Sequence, residues 1–220
     1  MPGFSHVINK FIQYFDVFIE AMFLTLKLTA ASLLIAIVIG LFFALLKISR
    51  SKPLSLIADA YIGIVRGTPL IVQIFIFYFG LTEIVNISGF WAATWGLAFH
   101  NGAYIAEIFR GSIQSVDKGQ SEAGRSLGMT RTLTMRRIIL PQAFRRALPP
   151  LGNQFIIGLK DSSLAAFIGM PELFNIATTL GSANFDIMTY LLIVGVYYLV
   201  LVLLLTVLVN MIEKRMSVSD

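Results

Sequence analysis

The run LTAASLLIAIVIGLFFALL, Leu28 to Leu46, holds 19 residues and no charge. About 20 apolar residues in helical form cross the hydrocarbon core of a bilayer, so a stretch of this kind reads as a membrane span. A second uncharged run, Ile187 to Ile212, ends directly on Glu213, Lys214 and Arg215. The rest of the chain agrees with a lipid solvent. Hydrophobic residues make up 57% and charged residues 13%, whereas a soluble domain carries about 25% charged residues. The expected fold class is an all-α membrane protein.

Three further spans complete the pattern. The first span runs from about Ala21 to Leu46, with Lys27 able to reach back to the interface. The second covers about Leu54 to Leu81, roughly 42 Å as a helix, and must tilt or kink. The stretch RGTP offers the kink, because Pro69 has no N–H to donate to the Val65 carbonyl. The third covers about Gly89 to Phe109. The fourth begins near Ala147, is broken by KDSS (Lys160 to Ser163) and resumes as LAAFIG. With Pro150 at the boundary, Asp161 lies about 16 Å along the helix, near mid-membrane. Charges at that depth mark a pathway by default; the other reading is that Lys160 and Asp161 neutralise each other inside the bundle. The last span is Ile187 to Ile212. Ahead of all five, residues 1–20 repeat apolar side chains (Phe4, Val7, Ile8, Phe11, Ile12, Phe15) at helical spacing. That is an amphipathic segment on the membrane surface, or the wet start of the first span; it lacks the pattern of a cleaved signal peptide. The division expected is an interfacial segment 1–20, a transmembrane unit 21–215 containing a cytoplasmic loop 111–146, and a tail 216–220.

Thirteen of the 17 lysines and arginines fall between spans one and two, between spans three and four, or after span five. The loops near 82–88 and 171–186 carry none. The positive-inside rule then puts the basic loops and the C-terminus in the cytoplasm and the N-terminus outside. The net charge of +5 follows from this topology and does not imply nucleic-acid binding. The chain has no cysteine and two histidines, which excludes disulfides and thiolate chemistry and leaves no basis for a histidine metal cluster. No nucleophile–base arrangement stands out, so an embedded enzyme is not expected.

The cytoplasmic loop contains GQSEAGRSLGMTRTLTMRRIILPQAFRRALPP, residues 119–150. It predicts a helix over Gln120 to Leu127 stopped by Gly128, and another over Thr132 to Ile139 ended by Pro141. Ala123, Gly124 and Gly128 leave the first helix bare enough for a partner's surface to approach. GQSEAGRS nearly fits a phosphate-binding loop, but Arg125 stands where that motif needs lysine and no strand precedes it. Any ATP must be bound by another chain.

Glu122, Ala123, Gly128, Ile138, Leu140 and Pro141 resemble the EAA signature of ABC-importer permeases, with Gly124 in place of the usual third residue, alanine. The segments YIGIVRGTPLIVQIFIFYFGL, AYIAEIFRGSIQSVDKGQSEAGRSLGM, LPQAFRRALPPLGNQ and KDSSL resemble the polar amino-acid uptake subfamily (histidine-, glutamine- and arginine-type permeases) over about residues 15 to 215. The resemblance implies a type I importer permease of five transmembrane helices in the bacterial inner membrane. Its loop would form coupling helices (Glu122, Ala123, Gly124, Gly128, Ile138, Leu140, Pro141) seated on a cytoplasmic ATPase. ATP and Mg would sit on that ATPase, with no cofactor in this chain. A second permease subunit and an extracytoplasmic amino-acid-binding protein complete the expected partners. The competing reading is a stand-alone secondary transporter or channel.

Polar residues within the spans are the candidates for a substrate path: Gln73, His100, Asn101, Tyr104, Glu107, Asn153, Gln154, Lys160, Asp161, Ser162 and Ser163, of which Gln73, Asn101, Tyr104 and Lys160 to Ser163 are retained as the expected path. Asp161 suits an ammonium group, and Asn101, Ser162 and Ser163 suit a carboxylate. Asn101 and Tyr104, three apart, share a helix face. His100 reads as an interhelical hydrogen bonder and Glu107–Arg110 as an interfacial pair. Arg66 fits either an anchor at the kink or a gate. The orientation is checked by cysteine labelling in a chain that has none of its own: Ser88→Cys is expected to react with an impermeant reagent from outside, and Ser217→Cys is not.

Overall fold

The computed structural model describes residues 2–217, all helix and connection with no strand among them; residues 218–220 of the expected tail lie outside. In order the elements are α1 (Phe4–Gln13), α2 (Phe15–Lys47), α3 (Lys52–Arg66), α4 (Leu70–Val85), α5 (Gly89–Gln114), α6 (Lys118–Ser126) and α7 (Arg131–Thr134). A π-turn, Met135–Ile139, leads into α8 (Leu140–Asp161). A 3-10 segment, Ser162–Ile168, precedes α9 (Leu173–Ala183) and α10 (Ile187–Ser217).

Two of these helices are long and apolar enough to cross a membrane, Phe15–Lys47 and Ile187–Arg215. Two bent pairs also qualify if each counts as one span. Lys52–Arg66 and Leu70–Gly80 meet at 104°, and Arg131–Ile168 and Leu173–Ala183 at 48°. The bend at Pro69 is therefore a break between two helices, where the sequence predicted a kink within one. Pro141 is a second correction. It does not end a helix; it lies in the first turn of α8. The π-turn immediately ahead carries the Leu140 N–H to the Met135 carbonyl, so the helical path runs past the proline with an altered register. A third correction concerns residues 171–186, expected as a loop. Most of them form α9, which packs on α10.

α5 is the hub. It packs against α2, α3, α4 and α8, and its contact face is built from small residues. Ala98, Ala103, Ala106 and Gly102 are buried against α2 and α3. α2 answers with Thr29, Ser32, Ala36, Gly40 and Ala44 at helical spacing. Lipid exerts no hydrophobic force between helices, so close backbone approach through small residues supplies the packing. At one end of this seam Lys47 bridges Asp59 (2.8 Å) on α3 and Glu107 (3.1 Å) on α5. Glu107 also pairs with Arg110 at 2.7 Å, which bears out the expected pair and shows that it clamps three helices.

α1 lies against α10, with Phe11 stacked on Tyr197 at 5.6 Å. His6 hydrogen-bonds Asp186 at 2.7 Å, tying α1 to the turn before α10. Hydrogen bonds from His6 and then from Thr189 hold the Asp186 carboxyl below the ordinary carboxylate range. The amphipathic segment is thus a separate helix that ends near Tyr14, and Phe4 and Ile12 keep an exposed apolar face.

The small-residue seam makes a two-sided prediction. A Cβ at Gly40 would meet Ile105 side-chain atoms at 2.5 and 2.8 Å, whereas one at Gly63 meets nothing within 4 Å. Gly63→Ala is expected to stabilise by up to about 1 kcal/mol through helix propensity, and Gly40→Ala to destabilise by about 1–3 kcal/mol through overpacking. Thermal unfolding in detergent or nanodiscs reads both signs.

Candidate functional site

Two breaks in membrane helices meet against α5. The first is Gly67–Pro69 between α3 and α4. With no N–H on Pro69, the carbonyl of Val65 loses its helical partner, and the Gln73 side chain supplies a replacement at 2.8 Å. The same amide nitrogen reaches Thr68 Oγ1 at 2.8 Å, and its oxygen meets His100 Nδ1 at 3.2 Å. Gln73 is 6% exposed; it holds the break and links it to α5. His100 is the interhelical bonder that the sequence predicted. The Arg66 guanidinium stands over the Tyr104 ring at 5.2 Å, and the His100 ring lies 5.2 Å from the same ring. Pro69 itself is exposed.

The second break lies between Ile168 and Leu173, just past KDSS; at KDSS itself the helical path continues in tighter form. α8 ends at Asp161, and Ser162 to Ile168 continue as a tighter 3-10 turn closed by Gly169 at φ +76°. Ser162 donates to the Leu159 carbonyl and Ser163 to the Lys160 carbonyl, both at 2.7 Å. Lys160 is exposed, Asp161 and Ser163 are half-buried, and Ser162 is buried. The ion pairs among the described residues do not include Lys160 with Asp161. Leu164, Ala165 and Ile168 pack with Leu70, Ile74 and Leu97, so the turn after KDSS rests on the first turn after RGTP. Irregular backbone at membrane depth is tolerated where it is buried in protein or lines a cavity, and paired broken helices mark binding sites in transporters.

Asn101 stands apart from this cluster. It is 0% exposed, donates to the Leu97 carbonyl at 2.9 Å, and accepts from Gln154 of α8 at 2.7 Å. It locks α5 to α8. Asn101 and Tyr104 therefore do not share a role, although they are three residues apart.

The basic loop folds as a unit. Asp117 caps α6 by accepting from Gly119 N at 2.7 Å. Gly128, at φ +75°, closes it: its N–H reaches Arg125 O at 2.9 Å, and Met129 N–H reaches Gly124 O at 3.0 Å. That pair of bonds is a Schellman motif, which favours glycine at the left-handed position. Val116, Ile139 and Ala143 form a small core with Ile113, Met135 and Ile138. Arg146 reaches from α8 to the Ser115 carbonyl. Glu122 and Ala123 face outward, while Leu140 and Pro141 are exposed nearby. Gly124 corrects the sequence reading. Its bare side is buried, and a Cβ there would meet Thr134 at 2.9 Å and Ile138 at 3.2 Å. The glycine lets the two arms of the loop close on each other, and an outside partner does not meet it.

Two residues that hold the second break escaped the sequence reading. Glu172, 0% exposed, caps α9 by accepting from Phe174 N (3.0 Å) and Asn175 N (2.8 Å), and it accepts from Tyr198 Oη at 2.9 Å. Thr25 Oγ1 accepts from Leu173 N at 3.1 Å. The only signal for Glu172 is an acidic residue just before an apolar run, and Glu is not among the favoured N-caps; Thr25, inside α2, leaves none.

The Asn101–Gln154 pair separates a lock from a substrate contact. Asn101→Leu strands a buried amide and is expected to cost about 1–3 kcal/mol, while Asn101→Leu with Gln154→Leu recovers most of it. The double variant is expected to regain thermal stability. Continued loss would show that the pair does not act as a unit.

The model for the binding-protein-dependent transport system inner membrane component matches residues 36–218. The arginine transport system permease protein ArtQ of Bacillus subtilis (strain 168) is 37% identical over 204 residues, 92% of this chain and 93% of the relative. The glutamine transport system permease protein GlnP of Escherichia coli (strain K12) is 39% identical over 203 residues, 91% and 93% of the two chains. The crystal structure of an amino acid ABC transporter with histidines contains a chain 41% identical, with TM-score 0.88 over 94% of this chain and 97% of that one. With that family model matching most of its length, this chain is a member of the binding-protein-dependent transport system inner membrane component family.

Proposed function

We propose that the chain is the permease subunit of an ATP-driven importer for a polar amino acid. Its relatives are permease components of amino-acid ABC systems. The observation that carries the transport reading is the meeting of the two helix breaks against α5. Such breaks cost helical hydrogen bonds, and here they set Lys160, Asp161 and Ser163 beside irregular backbone. In this reading Asp161 receives the substrate ammonium, Lys160 and Ser163 face its carboxylate, and Tyr104 with Arg66 borders the path. Gln73, Ser162 and Asn101 hold the walls. The finer architecture is a five-span type I permease: α2, the α3–α4 pair, α5, the α8–α9 pair and α10. α5 gives much of its surface to small and polar residues because it packs on protein, and its 26 residues reach about 39 Å.

The energy enters through the loop. Glu122 and Ala123 offer the outward face of α6 to a cytoplasmic ATPase, which binds ATP and Mg; this chain needs no cofactor of its own. From Arg131 the helical path is continuous through the π-turn and α8 to Ile168. A displacement at the ATPase is thereby delivered to KDSS along one stiff element, and the path alternates between the two sides. A second permease subunit and an extracytoplasmic binding protein complete the assembly. The chain sits in a bacterial inner membrane with its N-terminus outside and C-terminus inside, and it has no nucleic-acid role.

The test is reconstitution in proteoliposomes with the ATPase and binding protein. Uptake is expected to require both partners and ATP. Asp161→Asn is expected to keep ATP hydrolysis and lose at least about tenfold in uptake, the size of one charge-assisted contact. Gly128→Leu forces a branched side chain into φ > 0 and is expected to lower uptake and stimulated hydrolysis together. Substrate-driven uptake by the chain alone would establish the stand-alone transporter instead.

A further inference from the structure

Three arginines converge without a counter-charge. Arg50 lies in the short link between α2 and α3, Arg125 on α6, and Arg131 at the start of α7. With Ser121, Thr134, Met135 and Ile139 they line a cavity of about 370 Å³. No carboxylate lines it. Asp59 and Glu107 hold Lys47, Glu107 holds Arg110, and Asp117 caps α6, while Glu122, next to Ser121, does not line the cavity. Among the described residues Arg50, Arg125 and Arg131 form no ion pair. Guanidinium groups stay charged at any working pH, so three around one concavity repel until an anion joins them.

We propose that this cavity binds the phosphate of an anionic phospholipid headgroup and so fastens the coupling loop to the membrane end of α2 and α3. Position selects the lipid. Arg50 follows Lys47, where one membrane helix ends, and precedes Lys52, where the next begins. Its link therefore lies at headgroup level, where basic pockets attract anionic lipid. Guanidinium forks match phosphate oxygens in bidentate geometry. Met135 and Ile139 add an apolar flank suited to the glycerol and first methylenes. A carboxylate of the ATPase fits less well. Ser121 and Arg125, one turn apart on α6, line the cavity, while Glu122 and Ala123 are exposed and do not line it. A partner that grips the outward face leaves the cavity to the membrane side.

The test uses the full chain in phosphatidylcholine nanodiscs with and without phosphatidylglycerol, with retained lipid measured by native mass spectrometry. Wild type is expected to retain phosphatidylglycerol selectively. The double variant Arg125→Gln with Arg131→Gln is expected to weaken that retention about tenfold or more. Arg136→Gln with Arg137→Gln removes equal charge outside the cavity and is expected to retain the lipid. Arg50→Gln, outside any helix, gives the same loss in a variant with little risk to folding. Equal loss in both double variants would reduce the effect to general charge and overturn the site. Displacement of the lipid from wild type by inorganic phosphate would reassign the cavity to a free anion. Unchanged lipid retention with lost ATPase binding in the cavity variants would reassign it to the protein partner.

Discussion

In a membrane, a helix cannot break unless the protein supplies partners for the main-chain groups that the break exposes. Each stranded polar group costs about 1–3 kcal/mol even in a protein interior, and lipid offers no water to relieve it. The architecture here depends on meeting that demand from nearby side chains. Gln73 replaces the donor that Pro69 lacks. Ser162 and Ser163 return their hydroxyls to the carbonyls behind them. Glu172 and Thr25 accept the free N–H groups at the start of α9. With these bonds made, the chain holds irregular backbone next to charged side chains inside a bundle, which an unbroken helix could not do.

The breaks are useful because they are connected. α5 presents small residues to α2 and α3, and His100 and Tyr104 to the first break, so one element ties the packing to the break. At its far end the Lys47–Asp59–Glu107–Arg110 cluster clamps α2, α3 and α5. The basic loop then grows from α5 with its own small core and returns as α7, the π-turn and α8. Gly124 allows the loop to close, and Gly128 ends α6 sharply. A loop built this way holds together as one body.

Much of this was legible in the residues. The uncharged runs announced α2 and α10, and Pro69 announced the first break; the second falls just after KDSS, between Ile168 and Leu173, where the sequence placed it at KDSS itself. Gly128 announced the end of α6, and His100 its interhelical bond. What misled was local reading of groups whose role is set at a distance. Pro141 looks like a helix stop, yet a π-turn absorbs it. Gly124 looks like an open face, yet Thr134 fills the space above it. Asn101 looks like a path residue from its spacing to Tyr104, yet Gln154, far along the chain, has taken its oxygen.

The sequence by itself determined that the chain is built of apolar helices, that one must break at Pro69 and another stop at Gly128, and in which connections its positive charge collects. These follow from transfer energies and main-chain donors, which are properties of single residues and short runs. The tertiary structure alone decided that the RGTP bend is a full break of 104° and that this break rests on the turn after KDSS. It also decided that Arg50, Arg125 and Arg131 share one cavity. Those facts depend on which surfaces meet when α5 packs among its neighbours, and packing partners distant in the chain leave no mark in local periodicity.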